Sequence, residues 1–193
     1  ITGVGGLPDV ITRLILRDAG VDASKIEFIS LQGSVGIYRA VVANKVAAGA
    51  ATDAFIGSAE RDGVVPLVKT WEALPNYVSS TFIATDDGIQ QHRDVIVRTL
   101  AGFVKTFRYL NEPESKQVWI DVAMSEVEQD QEQAEAAWEG VYESRPYRAE
   151  PTIVREQFDY MQEVNVGLGR QKSVFPFEQI VDNSLITEAM ALV

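Results

Sequence analysis

The feature that most constrains the fold is the opening run, Ile1-Thr2-Gly3-Val4-Gly5-Gly6-Leu7-Pro8-Asp9. An apolar strand end leads into three glycines, then a proline, then an amphipathic segment. Glycine permits the sharp turn and close backbone approach that a side chain would block. Pro8 suits the first turn of a helix, where a missing N–H costs nothing. The amides of such a helix start point at whatever lies beyond the strand, which makes the turn an anion or ligand contact in many α/β proteins. The same spacing also serves as a plain connector.

The segments that follow extend this pattern. Val10, Ile11, Leu14 and Ile15 recur at helical spacing, and Gly20 closes that helix as a left-handed cap. Ile26–Ile29 reads as a short buried strand with Gln32-Gly33-Ser34 as the loop at its end. A helix over residues 35–46 turns Ile37, Val41 and Val42 inward. Strands are expected at 50–56 and 64–69, with a short helix near 58–62 between them and an extended crossover at 77–85. Strand and helix thus alternate, which predicts a parallel sheet with covering helices. In such sheets ligands lie outside the carboxyl ends of the strands, where the loops 3–9, 32–34 and 55–58 would converge.

Beyond residue 85 the character changes. Residues 1–85 carry seven basic and eight acidic side chains, whereas 86–193 carry ten and twenty. The shift suggests two regions, 1–85 and 86–193. The second reads as helical, with a strong amphipathic helix at 94–110 and further helices at 113–124, 130–142 and 152–164, Thr152 serving as a cap. Short turns follow at 177–181 and 185–192. Apolar faces of this kind need a partner surface.

Charge and composition exclude several function classes. The net charge of −11 argues against nucleic acid or an anionic membrane as partner. With no cysteine there is no thiol nucleophile and no thiolate metal site. A single histidine, His92 in the polar run Gln90-Gln91-His92-Arg93, leaves no triad; it reads as a solvated helix-start residue. Ser58 lacks the second glycine of a nucleophile elbow, and no Gly-Lys-Ser/Thr follows the opening glycines. No catalytic residue, metal ligand or cofactor is expected, and the chain reads as a binding protein and not an enzyme.

In order and spacing these features resemble the periplasmic solute-binding proteins of ABC importers, in the group that includes the alkanesulfonate, taurine and thiamine-precursor binding proteins. The likeness is carried by the helix end Leu14–Gly20, the strand Ile26–Ile29, the run from Ala40 through Gly49 to Asp53-Ala54, the glycine-led segment Gly63–Val68 with Pro66, the stretch Pro75–Thr85, and the helix Asp94–Tyr109. It implies an α/β fold of the type II periplasmic-binding-protein kind. Residues 1–85 would form the second, parallel-sheet lobe of a clam, or Venus flytrap, and 86–193 the helical region belonging to the other lobe. The family's amino-terminal third and signal peptide have no counterpart here, so against the resemblance the chain is either truncated, its exposed apolar face then favouring self-association, or a one-lobed protein completed by another chain.

The resemblance also implies a function: capture of a small organic solute in a cleft and delivery to an ABC permease, at a periplasmic or lipid-anchored extracytoplasmic location. The ligand-binding candidates are then the first-turn residues Gly5, Gly6 and Leu7 with Asp9, the polar side chains Gln32, Ser34, Asp53 and Ser58, and the rings of Tyr38 and Phe55. An anionic solute such as a sulfonate suits a helix start. Asp9 could occupy that positive end itself, which leaves a neutral or amine-bearing heterocycle equally open. Asp53 could instead cap the following helix. The alternative functions are a ligand-sensing domain or a thiamine-pyrimidine-precursor-related domain of the same fold.

Overall fold

The computed structural model describes residues 1–52, 55–59, 61–78, 80–126 and 129–193, with the backbone alone at 56 and 57. Its described elements are helical. In chain order they are α1 (Leu7–Asp18), a 3-10 turn (Ala23–Lys25), α2 (Gly33–Val42), α3 (Ile56–Ala59), α4 (Thr70–Ala73), α5 (Asp86–Leu110), α6 (Ser115–Glu126), α7 (Gln131–Ser144), α8 (Arg155–Gly167), α9 (Phe177–Ile180) and α10 (Ser184–Met190). No strand occurs among the described residues, so the expected α/β fold, its parallel sheet and the Venus-flytrap architecture are corrected to a helical protein.

The reason lies in the backbone, segment by segment. A strand requires a neighbour to take its N–H and C=O groups. Only the first expected pairing is begun: the Ile1 ammonium donates to the Ile29 carbonyl at 3.1 Å, and the Leu31 amide donates to the Ile1 carbonyl at 2.9 Å. These two bonds bracket Ser30 as a parallel bridge would, but the chain turns away at Gly3. Residues 26–29 are irregular, following the 3-10 turn. The expected strand at 50–56 is irregular at 51–52 and already helical at Phe55, while Asp53 and Ala54 lie outside the described residues. The 64–69 stretch is irregular, with Val65 73% and Leu67 77% exposed, and Pro66 has no N–H to offer a ladder. The described part of 77–85 is irregular too, with Ile83 92% exposed. Apolar character at these segments was a property of the side chains alone.

The chain divides into two compact units, Ile1–Pro75 with Gln117–Ser144, and Asn76–Lys116 with Arg145–Val193. In the first, α1 buries Val10 and Leu14, and α2 buries Ile37. The backbone at Gly49 lies against α2 so closely that a Cβ there would stand 2.3 Å from Ile37 Cγ2. The short α3 packs on α7, and Ile120, Ala123 and Ala134 form a small core with Trp119 against it. Trp138 stacks on Tyr142 at 4.7 Å between ring centroids.

In the second unit, α5 and α10 make the principal contact. Val97, Leu100, Ala101 and Val104 meet Leu185, Ile186 and Ala189. The 3.6-residue period brings these α5 side chains to one stripe. His92 has non-helical backbone angles (φ −131°, ψ 24°) and marks a kink within α5, so the expected helix from residue 94 is the segment beyond it. Thr85 accepts a hydrogen bond from the Gly88 amide and caps the first segment. Elsewhere in this unit Phe158 of α8 meets Phe177 of α9 edge to face at 5.6 Å.

Three helices end in the same way. After α1 the Gly20 amide reaches the Arg17 carbonyl and the Val21 amide that of Leu16, with Gly20 at φ +71°. Asn44 and Lys45 repeat this after α2, and Gly169 and Arg170 after α8. Each is a Schellman motif, whose left-handed residue is glycine or asparagine because a branched side chain would be strained there.

Candidate functional site

Two groupings of the expected site residues exist in the first unit. The first is the turn before α1. Gly6 is the N-cap residue in extended conformation, and its amide donates to the Gly3 carbonyl at 3.2 Å. Asp9 is fully buried and faces back on the turn: its Oδ2 accepts from the Gly5 amide at 2.9 Å, and its Oδ1 accepts from Arg13 Nε at 2.7 Å. A carboxylate in the first turn complements the helix dipole and takes an orphan amide at once. The Arg13 guanidinium in turn lies 4.0 Å from the centroid of the Phe28 ring. The positive end that the sequence offered to an anion is therefore filled by the protein's own acid. Gly5 and Leu7 are exposed beside it.

The second grouping gathers residues from two separate stretches. Tyr38 of α2 stacks on Phe55, with centroids 4.4 Å apart and planes inclined by 13°. The Tyr38 hydroxyl donates to Asp62 Oδ2 at 2.8 Å and lies 3.2 Å from Ser58 Oγ, which itself donates to the Phe55 carbonyl at 3.3 Å. The rings thus pack on each other, and a planar solute would meet the outer face of the pair. Partial burial pushes the Tyr38 phenol above its usual range; the hydrogen bond with Ser58 opposes this and the neighbouring Asp62 carboxylate adds to it. The phenol therefore keeps its proton at neutral pH and acts as a hydrogen-bond donor to Asp62. Two neutral hydroxyls and one carboxylate around a half-buried ring pair form a polar and aromatic contact surface, suited to holding a molecule by hydrogen bonds and stacking.

The remaining candidates stand apart. Gln32 is the N-cap of α2, exposed, and makes no side-chain cap bond. Ser34 lies half-buried in the first turn of α2. Asp53 lies outside the described residues. Two members of these groupings were not foreseen. Arg13 carried a readable signal, because it stands four residues after Asp9 on one helix face. Asp62 carried none, since its partnership with Tyr38 spans 24 residues. Among the described residues no group of three or more His, Asp or Glu side chains could hold a metal ion, and no helix is long and apolar enough to cross a membrane.

Neither protein-family models, curated proteins nor solved structures match this chain.

Proposed function

We propose that this chain binds a small organic solute and serves as the solute-binding component of an ABC importer, presenting its cargo to a membrane permease outside the cytoplasm. The observation that carries the reading is the Tyr38–Phe55–Ser58 cluster. Three residues chosen separately from the sequence as ligand contacts come together in one unit, with Asp62 completing the polar edge. The permease as partner rests on the order of the sequence features alone, since the strands that this likeness implies at 26–29 and 64–69 are irregular here. The helix start at Gly6 favours no anion, because Asp9 holds it. A cationic or neutral ring-bearing solute, stacking on the Tyr38–Phe55 pair and donating to Asp62, is accordingly the preferred cargo over a sulfonate.

Binding involves no bond made or broken. Its free energy comes from covering the ring faces and from hydrogen bonds that replace those to water. A thermal-shift panel of aminopyrimidines, taurine and short alkanesulfonates tests the proposal. An aminopyrimidine should raise Tm by several degrees at about 100 times its Kd, corresponding to roughly 2.7 kcal/mol, and Tyr38→Ala should remove the shift. Silence from the whole panel, or a shift that survives Tyr38→Ala, overturns it.

A further inference from the structure

Within the first unit, charge is divided unevenly between the two stretches that compose it. Residues 117–144, which hold most of α6 and all of α7, carry eight acidic side chains and no basic one. α7 has no cation in its last turn, where the helix dipole disfavours the acid Glu143. The cations come from the other stretch, one toward each end of the helix. Near the start of α7, Arg61 Nη1 donates to both carboxylate oxygens of Glu132, at 3.1 and 3.2 Å. Near its end, Lys69 Nζ donates to Glu143, with Glu72 3.9 Å away and the centroid of the Trp71 ring at 5.6 Å. α7 also packs on α3, and three of its four buried residues are the small Ala134, Ala137 and Gly140.

One exposed ion pair contributes little to stability. Here two of them act on a single helix, spaced along it by roughly 16 Å, and the small buried side chains of α7 supply little apolar area to hold it in their place. The segment they grip also bears the Tyr38 cluster: α3 contributes Ser58, and Asp62 adjoins Arg61. We propose that α7 is a latched strap, clamped by Arg61–Glu132 and Lys69–Glu143, and that opening the latch loosens the Ser58 and Asp62 side of the Tyr38 cluster. The strap is a property of the fold and stands whether or not a solute binds.

Hydrogen exchange of the full chain, resolved by NMR, tests the strap. Two amides report on the gripped segment: Asp62, bonded to the Ser58 carbonyl at 3.0 Å, and Val64, bonded to the Ala59 carbonyl at 2.7 Å. In Glu132→Lys/Glu143→Lys both should exchange at least about 5-fold faster, together with the amides of α7, because two attractions become repulsions. Adding Arg61→Glu and Lys69→Glu rebuilds both pairs with their signs exchanged, and should return the rates to within about 3-fold of the parent. The neutral pair Glu132→Gln/Glu143→Gln creates no repulsion and should move the same amides by about 3-fold, which keeps the test open if charge reversal unfolds this unit. Glu135→Lys changes the charge of α7 outside both clamps and should leave Asp62 and Val64 as they are. Circular dichroism checks that the helices persist in each variant. Unchanged exchange in both double variants would make the ion pairs incidental and overturns the proposal. So does release of α7 with Asp62 and Val64 still protected, a quadruple variant that recovers nothing, or an equal release by Glu135→Lys.

Discussion

At the residue scale, Asp9 decides between two roles that the opening glycines left open. A carboxylate waiting for a ligand would be exposed with unfilled acceptors, whereas Asp9 is fully buried and bonded to both Gly5 and Arg13. Its Oδ2 holds the glycine turn and its Oδ1 holds the guanidinium that covers Phe28. Removing the acid leaves an amide and a partly buried cation without their acceptor. We therefore expect Asp9→Ala to lower unfolding stability by about 3 kcal/mol, in the range for breaking one side of a buried pair. Asp9→Asn keeps one acceptor for the Gly5 amide, and should cost about half as much. Urea denaturation measures both. Stability within about 0.5 kcal/mol of the parent in Asp9→Ala would return Asp9 to the role of a solute contact.

At the scale of elements, the helices were legible and the strands were not, for one physical reason. A helix satisfies its backbone within itself, so a local pattern of apolar spacing and caps determines it. Pro8 at the start and Gly20 beyond the end delimit α1, and the apolar stripe from Ile96 to Val104 marks the part of α5 beyond His92. A strand depends on a partner that no local pattern names, and residues 64–69 have the composition without the neighbour. Thr152 shows the same limit in miniature: the expected cap is passed over, and α8 begins at Arg155 with Val154 as its N-cap and no side-chain cap bond. Of the candidate site, Tyr38 and Phe55 were legible only as separate rings for a solute, and their stacking on each other was not. Its hydroxyl partner Asp62 was hidden by sequence separation.

Long-range polar contacts of this hidden kind also hold elements together. Gln162 of α8 is buried, and its amide meets the Phe175 backbone on both sides, donating to the carbonyl at 3.0 Å and accepting from the amide at 2.8 Å. Gln171 adds a donor to the same oxygen at 2.8 Å. The side chain thus imitates a strand neighbour for the segment between α8 and α9. Gln162→Leu, near in volume but without polar atoms, should cost about 2 kcal/mol because it leaves a pair of backbone groups unsatisfied. The Phe175 amide should then lose its protection in hydrogen exchange, while amides in α5 keep theirs. Unchanged exchange at Phe175 would assign the ordering of this segment to Phe158 and Phe177 instead.

At the scale of the whole molecule, charge and apolar exposure act against each other. A net charge of −11 repels like copies. Val65, Leu67, Phe82 and Ile83 meanwhile present hydrocarbon to water on irregular segments with few backbone bonds of their own. Such surface drives association as soon as the repulsion is reduced. Two independent variables reduce it: salt, which shortens the Debye length from about 8 Å at physiological strength to about 3 Å at 1 M, and acid, which brings the chain toward its isoelectric point near 4.6. Sedimentation velocity should therefore show a monomer at pH 8 and low salt. Larger species should grow in with either change, and the double variant Leu67→Ser/Ile83→Ser should resist both. Screening and neutralisation act on the same repulsion by different routes, so agreement between them identifies charge as the restraint. Association that ignores salt and pH but disappears in the double variant would instead mean that the apolar segments pair by a specific contact stronger than the charge opposing it.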